Sequence, residues 1–121
     1  MKILLVDDDA MITELLAIKL QEKGHSVEKA CGGWDALNRI TNHSYDLLIT
    51  DLMMPDISGL TLISLLRNYV YGHLPIIIIS SLDQSSVVLS GMGLGAEDYF
   101  IKPIDMEQLL HRIERLASAQ T

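Results

Sequence analysis

Apolar and polar positions follow one another along this chain in two rhythms. Residues 3–6 (Ile-Leu-Leu-Val), 47–50 (Leu-Leu-Ile-Thr) and 76–79 (four isoleucines) are short apolar runs, the pattern of strands covered on both faces of a sheet. The last is the least ambiguous, because β-branched residues in series suit a pleated surface better than a helix. Between these runs the spacing turns helical. Residues 10–23 bring Ile12, Leu15, Leu16 and Leu20 to one face and stop at Gly24. Residues 34–41 carry Ala36, Leu37 and Ile40 behind a Gly32-Gly33 break, and residues 60–69 carry Leu60, Ile63 and Leu66. Residues 105–117 align Met106, Leu109, Leu110, Ile113 and Leu116, with Asp105 as the N-cap. Weaker patterns mark a strand at 26–30, a helix at 84–94 and a last strand at 97–101, while residues 68–73, closed by Pro75, form a loop. In the helix at 84–94, Gly91 and Gly93 each cost about 1 kcal/mol relative to alanine. Val87, Val88, Leu89 and Met92 are more apolar there than one buried face requires. Five strands alternating with five helices predict an α/β sandwich on a mainly parallel sheet.

Composition narrows the function more than the fold. The 121 residues, 49% hydrophobic and 21% charged, suit one domain, 1–121, with residues 118–121 reading as a tail or the start of a linker. The apolar runs are too short to span a membrane, and the first meets Asp7-Asp8-Asp9 too soon for a secretory signal. Cys31, the single cysteine, is expected as a small packed hydrophobe, and cytoplasmic residence is the default. With a net charge of −7 and no basic run, the chain is not expected to bind nucleic acid by itself. His25, His43, His73 and His111 lack metal-ligand spacing and read as solvated or capping residues; Trp34 reads as surface or packing.

The candidate chemistry collects at the strand ends. Ligands of a parallel α/β sheet gather beyond the carboxyl ends of its strands. Asp7, Asp8 and Asp9 follow the first strand, Asp51 the third, Ser80 the fourth and Lys102 the fifth. Two carboxylates ~4 Å apart repel by about 4 kcal/mol at an effective dielectric near 20, so such a cluster calls for a counter-charge. An all-oxygen pocket suits a hard divalent cation, and Mg²⁺ can bridge carboxylate and phosphate. Lys102 supplies a point charge for an incoming anion, Ser80 a hydroxyl, and Asp51 a carboxylate nucleophile. Together they describe a site for phosphoryl transfer.

Four motifs carry a family resemblance. They are Val6-Asp7-Asp8-Asp9; Asp51-Leu52-Met53-Met54-Pro55-Asp56-Ile57-Ser58-Gly59; Pro75-Ile76-Ile77-Ile78-Ile79-Ser80-Ser81; and Gly95-Ala96-Glu97-Asp98-Tyr99-Phe100-Ile101-Lys102-Pro103. From end to end the chain resembles a response-regulator receiver domain of bacterial two-component signalling. The resemblance implies a flavodoxin-like (βα)5 fold with strand order 2-1-3-4-5. It implies that Asp51 takes a phosphoryl group from a phosphohistidine on a sensor histidine kinase or histidine phosphotransfer protein. Mg²⁺ would be held by Asp8, by Asp7 mostly through water, by Asp51 and by the Met53 carbonyl. Lys102 would pair with the phosphoryl oxygens, ahead of a cis bond to Pro103. Ser80 would swing to the phosphoryl group and Tyr99 rotate inward, remodelling the face of helix four, strand five and helix five for an effector domain or a homodimer. Asp9 is expected to start the first helix rather than to bind metal.

Three departures from the family pattern carry expectations. Ser80 and Ser81 stand where threonine and alanine are common, which keeps the switch. Met53 stands where polar residues can orient an attacking water, which implies slow self-dephosphorylation. Asp98 and Arg112 match two members of a charged dimer network, yet helix four offers Val88 and Ser90 where that network is basic, favouring a hydrophobic contact. Two other classes compete. A haloacid-dehalogenase-type aspartyl phosphatase needs a second acid where Met53 stands, and a flavin- or nucleotide-binding flavodoxin-like module would find Asp7-Asp8-Asp9 repelling its phosphate.

Overall fold

The computed structural model describes residues 1–69 and 72–120. Strands β1 (Lys2–Val6), β2 (Ser26–Ala30), β3 (Leu47–Thr50), β4 (Ile76–Ser80) and β5 (Asp98–Ile101) form one parallel sheet in the order β2-β1-β3-β4-β5. Helices α1 (Ala10–Glu22), α2 (Gly33–Asn42), α3 (Gly59–Asn68), α4 (Ser85–Gly93) and α5 (Met106–Ala119) follow the strands in turn. The expected flavodoxin-like α/β architecture is the observed one.

Because successive strand residues face opposite sides, each central strand feeds two cores. Ile3, Leu5, Ile49, Ile77 and Ile79 pack with Leu16, Ala17 and Leu20 of α1 and Leu109 and Ile113 of α5. Leu4, Val6, Leu48, Ile76 and Ile78 pack with Ala36 and Ile40 of α2 and Leu62, Ile63 and Leu66 of α3. The runs without a polar face in β1, β3 and β4 are thus the strands buried on both sides. At the sheet edges β2 and β5 expose part of their surface, which is why their patterns are weak.

Local chemistry sets the helix ends. Asp9 caps α1 by accepting from the Met11 and Ile12 amides, Ser58 caps α3 through the Thr61 amide, and Asp105 caps α5 through the Gln108 amide. Gly24 and Gly95 adopt φ of 90° and 99°, letting the chain leave α1 and α4 through left-handed turns that satisfy the last carbonyls.

The structure departs from the sequence pattern at several positions. Leu15 is 48% exposed, and Thr13 and Ala17 take its place on the buried side of α1. Cys31 is exposed rather than packed. His25 is buried, not solvated, with Nε2 2.8 Å from Glu114 Oε1 on α5. Residues 118 and 119, expected in a tail, continue α5, and Gln120 caps it. Val70 and Tyr71, part of the expected loop, lie outside the described residues, as does Thr121.

Candidate phosphoryl-transfer site

Asp7 and Asp51 stand side by side because β1 and β3 are neighbours in register: Val6 pairs with Thr50, and the Asp51 amide donates to the Val6 carbonyl at 2.9 Å. Lys102 follows β5, whose ladder with β4 continues through its amide to the Ser80 carbonyl at 2.8 Å. From there its side chain crosses the end of β4. Its Nζ lies 2.9 Å from Asp7 Oδ2 and 3.1 Å from Asp51 Oδ2. Asp7, Asp8 and Asp51 each bring a carboxylate oxygen within 4.8 Å of the others. The sequence spreads these groups over almost a hundred residues; three strand ends bring them together.

Their environments differ. The Asp7 side chain is 1% exposed, whereas Asp8 is exposed at the mouth of the site. Asp7 Oδ1 accepts the Asp9 amide at 2.8 Å. Asp7 Oδ2 is buried and, among the described residues, has no hydrogen-bond partner: Lys102 is at ion-pair distance but off hydrogen-bond geometry. Burial pushes the Asp7 carboxyl above its ordinary pKa and outweighs the Asp9 amide and the Lys102 ammonium, which act the other way. Burial alone would lower the Lys102 pKa, but its pairing with Asp7 and Asp51 raises it overall. Asp51 Oδ1 accepts the Leu52 amide at 2.6 Å and the Met53 amide at 3.3 Å, so the strand end itself orients the carboxylate. Three carboxylates facing one ammonium leave two negative charges unbalanced. That surplus on an all-oxygen donor set fits a hard divalent cation.

The match with known proteins follows this geometry. A model of the response regulator receiver domain matches residues 3–114. The chain belongs to the response regulator receiver domain family. The response regulator ArlR of Staphylococcus aureus is 35% identical over 119 residues, which are 98% of this chain and 53% of that protein. This receiver domain therefore spans about half the length of the curated relatives it matches. The receiver domain of the Francisella response regulator 1452 superposes with a TM-score of 0.93 at 32% identity, covering 99% of this chain and 98% of that one. A two-component response regulator from Clostridium difficile gives a TM-score of 0.92 at 28% identity, covering 99% and 98%. The chemotaxis response regulator CheY4 of Vibrio cholerae gives 0.87 at 29%, covering 95% and 97%.

The remaining candidate residues of this receiver domain flank the carboxylates. Ser80 is fully buried, and its hydroxyl accepts the Leu82 amide at 3.1 Å. The Tyr99 hydroxyl donates to the Leu82 carbonyl at 2.6 Å, so Ser80 and Tyr99 hold opposite sides of one residue in the β4–α4 loop. The Tyr99 ring already lies inward against the core. The Lys102–Pro103 bond is cis. Met53 is exposed and lines, with Met54, Pro55, Leu60, Leu82 and Val87, an apolar wall beside Asp51 and Lys102. Asp98 and Arg112 form an ion pair at 3.4 Å, and Arg112 also reaches the Glu97 carbonyl at 3.2 Å. Sequence reasoning missed Asp56, whose carboxylate leaves its own loop to bind α2. Its only sequence signal is a Gly-Gly pair at a helix start without a capping side chain.

Proposed function

We propose that Asp51 accepts a phosphoryl group from a phosphohistidine on a sensor histidine kinase or histidine phosphotransfer protein. The observation that carries this reading is the convergence of Asp7, Asp8 and Asp51 within 4.8 Å, with Lys102 3.1 Å from Asp51. A carboxylate oxygen of Asp51 attacks phosphorus as the bond to the donor imidazole nitrogen breaks; the imidazole keeps the bonding pair and takes a proton from solvent. Asp7, Asp8, Asp51 and the Met53 carbonyl would hold Mg²⁺. When bound, the ion neutralises charge shared between carboxylate and phosphoryl oxygens. Lys102, already between two carboxylates, follows the charge onto the phosphoryl oxygens.

Readout runs through Leu82. When Ser80 turns to the phosphoryl group it releases the Leu82 amide, and the loop that Tyr99 holds by the Leu82 carbonyl shifts with it. That loop leads into α4, so the face of α4, β5 and α5 changes. Leu89, Met92 and Ile101 are exposed on this face, which suits an apolar contact with an effector domain or a second copy. The domain acts as a cytoplasmic signalling switch, not as an enzyme turning over free substrates. Met53, where a dehalogenase-type phosphatase needs its second acid, supports that, and the carboxylates beyond β1 oppose a flavin or nucleotide phosphate.

Acetyl phosphate with Mg²⁺ provides the test. Mass spectrometry should find one phosphoryl group on the wild type and none on Asp51→Asn. An Asp51→Asn protein still modified once, or wild type hydrolysing a generic phosphate ester repeatedly, would overturn the reading.

A further inference from the structure

The loop from Asp51 to α3 is pinned at two points. Near α3, the Gly59 amide donates to the Leu52 carbonyl at 2.8 Å, and Gly59 lies so close over the Asp51 carbonyl that a side chain there would collide with the backbone. The second anchorage, at Asp56 three residues before Gly59, leaves the loop. Asp56 Oδ1 accepts the Gly33 amide at 3.1 Å and the Ile57 amide at 2.8 Å, while Oδ2 accepts the Trp34 amide at 3.0 Å. Gly32, at the N-cap of α2, has no side chain to offer, so the start of that helix is capped from a different loop. Both glycines leave room for this. A Cβ on Gly32 would sit 2.9 Å from both Asp56 carboxylate oxygens, and one on Gly33 would run into Ile57 Cγ1. Met53, Met54 and Pro55 are suspended between these two anchorages.

We propose that Asp56 is a positioning residue for phosphoryl transfer, fastening the loop that carries the Met53 carbonyl to the N-terminus of α2. The proposal rests on the functional reading above, in which that carbonyl is a ligand of Mg²⁺. A metal ligand supplied by the backbone has no rotamer to adjust, so its position is only as good as the loop that holds it. The α2 N-terminus suits the task because its amides and partial positive charge hold a carboxylate in a fixed direction. Those amides also keep the Asp56 carboxyl below the usual carboxylate range, with the Trp34 amide contributing most.

Calorimetric titration with MgCl2 separates positioning from mere stability. Asp56→Ala is expected to bind Mg²⁺ about tenfold more weakly, the scale seen when a group supporting a metal ligand is lost. Its phosphorylation by acetyl phosphate should recover at saturating Mg²⁺. Asp56→Asn, which keeps one acceptor oxygen but turns an NH2 towards the remaining amide, should restore part of the affinity. Gly32→Ala, whose backbone is extended at φ 175° and accepts any residue, should displace the carboxylate and weaken Mg²⁺ as Asp56→Ala does. It decides the matter if Asp56→Ala fails to fold. Wild-type Mg²⁺ affinity in a folded Asp56→Ala or Gly32→Ala protein, or Asp56→Asn as weak as Asp56→Ala, would overturn the proposal. If wild type itself neither binds Mg²⁺ nor takes a phosphoryl group, the functional reading has failed instead.

Discussion

At the scale of single residues, the site works against the stability of the fold. Asp7 is held in a dry position where its charged form is disfavoured, and a carboxyl whose pKa rises on folding stabilises the protein only while protonated. Below the ordinary carboxylate pKa that contribution is complete; it is lost as pH climbs through the raised value, so above that value the metal-free protein carries the full penalty. Asp7→Asn, which imitates the neutral acid, is therefore expected to raise the melting temperature on the alkaline side of that limb without Mg²⁺ and to flatten the limb itself. Lys102 keeps Asp51 as a partner in that variant. The same substitution should shrink the stabilisation that added Mg²⁺ gives wild type, because ligand binding to the folded state stabilises it by mass action. Thermal melts across pH, with and without Mg²⁺, check both halves. In the proposed phosphorylation cycle, Met53 bears on loss of the phosphoryl group. An apolar, exposed side chain beside Asp51 cannot orient water, so the phosphoryl group should outlast a scale of seconds. Met53→Asn should shorten its lifetime severalfold in a dephosphorylation time course, and loss from wild type within seconds would contradict this.

At the scale of elements, α4 divides its two glycines between different tasks. Both weaken the helix by propensity, yet only Gly91 is buried, and a Cβ there would sit 2.6 Å from Ile78 Cδ1 in the packed core. Gly91 is the point where α4 approaches the sheet and the Tyr99 ring. Gly93 meets nothing within 4 Å among the described residues. Gly93→Ala should stabilise the domain by up to about 1 kcal/mol, and Gly91→Ala should destabilise it despite the same gain in propensity. Denaturant melts give the signs, and hydrogen exchange locates the change in α4. The apolar surplus noticed in its sequence is real but is not all core: Val87 packs inward, whereas Leu89 is 71% exposed. Periodicity finds helices by their apolar face. It cannot tell a face covered by the sheet from one left for a partner, and Leu15 on α1 misleads in the same way.

At the scale of the whole molecule, the division between sequence and tertiary structure has a simple cause. Properties set by neighbours along the chain were legible: the bounds of β3, the Asp9 and Asp105 caps, the fully buried run of β4, and the parallel α/β class that follows from alternating elements. The motifs around Asp7, Asp8, Asp51, Ser80 and Lys102 were legible too, because each sits where an apolar strand ends. Properties set by residues far apart in sequence were decided only by the packed sheet. His25 joins Glu114 across 89 positions, and Asp56 caps a helix 22 residues behind it, through contacts that no local pattern encodes. Burial of Asp7 beside an exposed Asp8 is another such case: both follow the same apolar run, and the residue covered is the one that meets Lys102 from the far edge of the sheet. The chain's own pattern dictated which groups stand at the strand ends. The order of the strands decided which of them meet, because a carboxylate and an ammonium interact over a few ångströms of space, whatever their separation along the chain.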